Sequence, residues 1–198
     1  MNSQNPVDVL WERLAAAAPG EVAARAAVAY DASGLAYLVP LLNTELRVAL
    51  RERRVIGADG PAGFELTLVC VQYLLTARDE PIAGELADPR SIGYGDFFFR
   101  GLHGLPTAKL EEAFGQRPDA FRVAAEALGG RAAQMGDAAY EFRALPRVPI
   151  AVVLWAADDQ FPARAQFLFD KAADRQLPLD VLWVLCLLLV KKLLAGAP

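Results

Sequence analysis

Cysteine and histidine are almost missing from this chain. Its 198 residues include two cysteines, Cys70 and Cys186, and one histidine, His103. Both cysteines sit inside apolar runs, LTLVCVQYLL and WVLCLLLV. That excludes a disulfide-dense scaffold, a four-cysteine zinc site and an all-cysteine iron–sulfur cluster, and a lone histidine excludes any site needing two. Neither bound zinc nor a cluster of the chain's own is expected. Serine is scarce too (Ser3, Ser33 and Ser91), and no Gly-x-Ser-x-Gly is present, so a serine nucleophile finds no support. A basic excess is also lacking: 20 Lys and Arg stand against 24 Asp and Glu, for a net charge of −4, and no nucleic-acid partner is expected. The greasiest segment, residues 181–190 (VLWVLCLLLV), falls well short of the roughly 20 apolar residues that cross a bilayer. It is bounded by Asp180 on one side and Lys191 and Lys192 on the other. The segment reads as a core helix, and no membrane partner is expected. The start of the chain, with Asp8 and Glu12, lacks the charged-then-apolar order of a signal peptide. These features together point to a cytoplasmic protein.

What is present is enough apolar matter for a core, 55% of residues against 22% charged. The length suits one domain, residues 1–198, with residues 1–20 as a helical N-terminal extension. Residues 7–18 and the segment EVAARAAVAYD read as helices, the first stopped at Pro19-Gly20. LAYLVPLL and ELRVALRERRVI alternate as two strands of a hairpin, with Arg47, Arg51 and Arg53 sharing a polar face. Residues 64–77 predict a buried helix and residues 79–105, with two prolines and five glycines, a long irregular crossing. Residues 107–114 and 118–128 predict short helices. AAYEFRAL and IAVVLW predict a second strand pair, followed by a helix from Pro162 through ARAQFLFDKAA and a last helix opened by Pro178. Adjacent antiparallel pairs among helices imply an α+β fold: a small antiparallel sheet from two strand pairs, packed against several helices.

Two constellations carry the chemistry. GYGDFFFRGLHG, residues 93–104, combines glycines that admit close approach with phenylalanine faces. Phe98, Arg100 and His103 are its ligand candidates. LWAADDQFPA, residues 154–163, places Asp158 and Asp159 at an expected strand-to-helix corner between Trp155 and Phe161. Such acids either cap a helix or serve a ligand or divalent cation. Asp137 and Asp170 are lone carboxylates that the fold could gather around Asp158. A further group, Arg47, Arg51, Arg53 and Arg54, reads as a charged strand edge or a receiver of phosphate.

The assembled motifs also resemble a known family. They are Gln72-Tyr73-Leu74-Leu75, Gly93 with Phe97-Phe98-Phe99, Phe114, Leu128-Gly129-Gly130, Gly136-Asp137, Leu145-Pro146-Arg147-Val148-Pro149, Leu154-Trp155-x-x-Asp158-x-x-Phe161-Pro162-Ala163, and Leu168-Phe169-Asp170. This series is similar to an uncharacterised prokaryotic family, domain of unknown function 3786, over about residues 25–195. The resemblance implies anaerobic bacterial and archaeal relatives, some carrying an added cysteine-rich iron–sulfur segment, and hence a redox or corrinoid-linked role. A corrinoid or other tetrapyrrole is the ligand it suggests, and it carries over no catalytic residue.

The leading expectation is a non-catalytic domain binding a small molecule or a protein partner. The glycine–phenylalanine loop and Trp155–Phe161 would form its acid-edged apolar pocket. One alternative is an enzyme using Asp158 with Asp137 or Asp170, around Mg²⁺ or as an acid–base pair. The other is a structural subunit that packs a partner on its apolar C-terminal helix.

Overall fold

The computed structural model describes residues 6–197, so residues 1–5 and 198 of the expected domain lie outside the described residues. Two short helices open the chain, α1 (Pro6–Ala16) and α2 (Pro19–Ala26). A meander follows: β1 (Ala29–Asp31), β2 (Ala36–Leu41), β3 (Thr44–Ala49), β4 (Arg54–Gly57) and β5 (Gly60–Pro61), each strand antiparallel to the next. Helix α3 (Phe64–Thr76) leads into the crossing, which holds β6 (Leu86–Ala87), α4 (Gly95–Phe98) and two single turns of 3₁₀ helix. Next come α5 (Thr107–Phe114), α6 (Pro118–Ala127), β7 (Arg131–Ala132), β8 (Ala138–Leu145), β9 (Val148–Trp155) and β10 (Arg164–Asp170). The chain closes with α7 (Ala173–Gln176) and α8 (Leu179–Ala195). The second sheet runs β6-β10-β9-β8-β7, antiparallel throughout.

The architecture is α+β, as the alternation of strand pairs and helices implies, but it has two five-stranded sheets rather than one small one. Three expectations fail, for one reason each. The helix expected over EVAARAAVAYD stops at Ala26, where Ala27 takes φ 53° and the last three residues pair with β2 as β1. Residues 164–170 are a strand and not a helix. Pro162 resembles a helix start, yet Ala165, Phe167 and Phe169 are buried at every second position. A period of two overrides a local start signal, because the buried face must meet its partner strand. The expected strand ELRVALRERRVI breaks in two at residues 50–53, where Arg53 adopts φ 50° and the chain turns back. That turn also dissolves the shared arginine face. Arg47 pairs with Asp31 (3.0 Å) and donates to the Gly34 carbonyl, Arg51 and Arg53 lie in the turn, and Arg54 opens β4.

The core lies between the sheets and the helices. In α8, Val181, Leu182, Leu185, Cys186, Leu188, Leu189, Val190 and Leu193 are buried within the chain's own fold, which accounts for the longest apolar run. The first helix belongs to this core as well, through buried Val7, Trp11 and Leu14 against α3. Arginines tie the layers together. Arg25 donates to the Leu74 and Leu75 carbonyls at the end of α3 and to that of Ala77 just beyond it, where a cation suits the helix dipole. Arg147, in the two-residue turn between β8 and β9, donates to the Arg25 and Glu80 carbonyls and to Asp79 (2.7, 2.8 and 2.5 Å). Burial pushes both thiols up, Cys70 to about 12 and Cys186 well above its ordinary value, so neither is a ready nucleophile. No helix among the described residues is long and apolar enough to cross a membrane.

Candidate functional site

The β9–β10 hairpin ends in an eight-residue loop, 156–163, at the strand ends where β8 begins. Strand register puts Arg164 directly opposite Trp155, so both side chains stand on one face of the sheet. The Arg164 guanidinium lies 5.3 Å from the Trp155 ring centroid, a cation–π contact. Within the loop, Asp158 folds the chain onto itself. Its Oδ1 accepts the N–H groups of Gln160 (2.8 Å) and Phe161 (2.7 Å), and its own N–H donates to the Phe161 carbonyl. These two backbone donors hold the carboxyl below its usual pKa. Asp158 therefore caps no helix; it organises a hairpin turn.

Asp137 stands across from the loop. Its N–H donates to the Leu154 carbonyl, and its Oδ2 accepts the Ala156 N–H (2.8 Å). This arrangement requires glycine at 136: φ is 54°, and a Cβ there would lie 2.6 Å from the Leu154 carbonyl oxygen. The loop and the start of β10 are anchored to α5. Glu111 Oε1 accepts the Ala165 N–H (2.9 Å), and the Gly115 carbonyl accepts the Ala157 N–H (2.9 Å).

The result is an open cleft of about 530 Å³, walled by Trp155, Phe161 and Pro162 and edged by Asp137, Asp158 and Arg164. Phe161 is 66% exposed, large for a phenylalanine. Four of the eight site residues expected from the sequence thus meet here: Asp137, Trp155, Asp158 and Phe161. Arg164 was hidden from sequence reasoning by the mistaken helix. The alternation of Ala165, Phe167 and Phe169 is the signal that would have exposed it.

The other four candidates go elsewhere. Asp170 is buried and accepts the N–H groups of Ala83, Gly84 and Ala172 (2.9, 2.7 and 2.8 Å), so it ties the crossing to the end of β10 and takes no part in the cleft. Phe98 stacks on His103 (4.5 Å between centroids), and His103 meets Trp183 of α8 edge-on at 5.7 Å. The Trp183 indole N–H donates to the Gly104 carbonyl. Arg100 pairs with Asp96 at 2.6 Å, four residues back along the chain. The glycine–phenylalanine loop therefore forms a separate aromatic group pinned to α8 and contributes nothing to the walls of the cleft. Among the described residues no group of three or more His, Cys, Asp and Glu side chains is placed to hold a metal ion.

Residues 18–192 match the family described as Domain of unknown function (DUF3786). The chain belongs to that family. The match begins after α1 and ends within α8, so it takes in both sheets and the whole cleft. No curated protein and no solved structure matches the chain.

Proposed function

We propose that this DUF3786 chain is a non-catalytic, cytoplasmic domain that binds a small organic molecule in the cleft between Asp137 and the β9–β10 loop. The observation that carries the reading is convergence. Residues from the start of β8, the end of β9, the loop and the start of β10 line one cavity of about 530 Å³, a volume usual for small-molecule sites. The polar anchors are few and fixed by backbone hydrogen bonds, and aromatic rings supply the contact area. Two free, buried thiols fit a reducing compartment.

Binding is favoured over the carboxylate enzyme reading on two grounds. Asp170, one partner offered for Asp158, is used up inside the fold. Asp158 is held ionised by two backbone donors, which suits a fixed charge better than a group exchanging protons near neutral pH. A corrinoid or other tetrapyrrole with an axial protein ligand does not suit the cleft, since its lining supplies neither histidine nor cysteine.

A thermal-shift screen with a fragment library tests the reading. Fragments that stabilise the wild-type chain should fail to stabilise Phe161→Ser, whose substitution lies outside the core, because a ligand raises stability only through its affinity for the folded site. Fragments acting equally on both proteins would place binding elsewhere.

A further inference from the structure

We propose that the occupant of this cleft is an organic cation: a protonated or quaternary ammonium group carried on a small apolar body. The inference rests on the cleft being a ligand site and adds the charge of the ligand. Three independent features converge on it.

The walls come first. The Trp155 indole and the Phe161 phenyl line the cleft, and the negative quadrupole of an aromatic face attracts cations and is indifferent or hostile to anions. The acids come second. Asp137 is bound through Oδ2 and Asp158 through Oδ1, each by backbone N–H groups. The second oxygen of each carboxylate has no hydrogen-bond partner among the described residues, and neither acid forms a salt bridge there. Arg122 approaches Asp137, but its guanidinium meets the backbone carbonyl and the Asp119 carboxylate rather than the Asp137 side chain.

The third feature is Arg164. It lines the same cleft, yet it lies on the Trp155 ring and not on either acid. The chain thus already holds one cation on this indole, tethered through β10. Two carboxylates and one arginine line the cleft, which leaves it a surplus of negative charge, further augmented by exposed Asp159 next door. A ligand cation would meet one aromatic face and one free carboxylate oxygen together. A ligand anion would face two fixed charges of its own sign.

Calorimetric titration of the whole chain with tetramethylammonium and with choline tests this, using 3,3-dimethylbutan-1-ol as the neutral isostere of choline. Choline should bind about tenfold or more tightly than the isostere, in line with a cation–π contact reinforced by carboxylates. Trp155→Leu and Asp158→Asn should each weaken choline about tenfold. Arg164→Gln should strengthen it, since the substitution frees the indole and removes a like charge. Equal affinity for choline and the isostere would overturn the cation while leaving the cleft a ligand site, as would binding of benzoate that is lost in Arg164→Gln. No binding of any probe, with fragment stabilisation still abolished by Phe161→Ser, would overturn the cation alone. No binding together with no Phe161-dependent fragment would overturn both.

Discussion

Gly115→Ala and Gly20→Ala make the same chemical change and should have opposite effects. At Gly115 an added Cβ would lie 2.3 Å from the Ala163 Cβ and 2.4 Å from the Glu111 carbonyl oxygen. Neither atom belongs to a flexible side-chain end, so the last turn of α5 must open at Glu111 and shift away from the loop at Ala163. Overpacking of this kind costs about 1–3 kcal/mol. Displacing the helix also loosens the hydrogen bond from Ala157 to the Gly115 carbonyl, whose net worth is about 0.5–1.5 kcal/mol. Together they predict a loss of about 1.5–4.5 kcal/mol, or roughly 3–18 °C in Tm for a chain of this length. At Gly20, exposed in α2, a Cβ meets nothing within 4 Å. There alanine should stabilise by about 0.5–1 kcal/mol, because the glycine's backbone freedom is lost on folding without compensation. Urea unfolding of both variants, with m-values compared to the wild type, measures the pair. A Gly115→Ala protein within 0.5 kcal/mol of wild type would show that α5 and the loop do not pack as described, and the anchoring of the cleft's loop would go with them.

Arg147→Met should destabilise by about 3 kcal/mol, leaving the Arg25 carbonyl without this donor and the Glu80 carbonyl with only the long bond from Gln176 (3.5 Å), and Arg147→Lys should recover less than half of it because an ammonium cannot reach three acceptors in the guanidinium fork; denaturant curves on both decide. Asp170→Asn should cost about 2 kcal/mol by turning an amide N–H₂ against backbone donors, and amide exchange should accelerate at Ala83 and Gly84 before elsewhere. In α8, Leu185→Ala should cost about 3–5 kcal/mol from a fully buried site, whereas Leu187→Ala, in the half-buried groove beside Lys109 and Lys191, should cost less than about 1.5 kcal/mol in the same calorimetric Tm series. Stability should fall at both ends of the pH scale. Asp31 and Asp158 have depressed carboxyl pKa values in the fold, so the unfolded chain takes up protons first as pH drops below their ordinary 3.8. Tyr37, Tyr73 and Cys70 are each pushed up to about 12, so the unfolded chain releases protons first above their ordinary 10.0, 10.0 and 9.0. Denaturant midpoints measured from pH 3 to pH 11 should trace a plateau that declines on both sides.

The elements that could be read from the sequence were those where local and global signals agree. Helices α5 and α6 carry proline or threonine starts, glycine nearby and apolar spacing of one period, and they form where expected. β9 reads as a central strand because every residue from Val148 to Leu154 is apolar, and it is flanked on both sides. β10 conflicts with itself, a proline start followed by strand alternation, and the tertiary partner decides. The cleft inherits that conflict. Asp137, Trp155, Asp158 and Phe161 stand out by residue type, while Arg164 was masked by the wrong period. Glu111 and Gly115 were invisible, because their contacts to Ala165 and Ala157 span 54 and more than 40 positions of chain that no local pattern connects.

Fluorine NMR tests most directly whether the cleft at Trp155 takes a ligand. Incorporating 5-fluorotryptophan gives ¹⁹F resonances from Trp11, Trp155 and Trp183, which report respectively on the buried first helix, the cleft, and the aromatic group against α8. Titration with fragments that stabilise the chain should shift the Trp155 resonance alone and leave Trp11 and Trp183 in place. Stabilising fragments that shift Trp183 and leave Trp155 unmoved would contradict the claim and move the site to the glycine–phenylalanine loop.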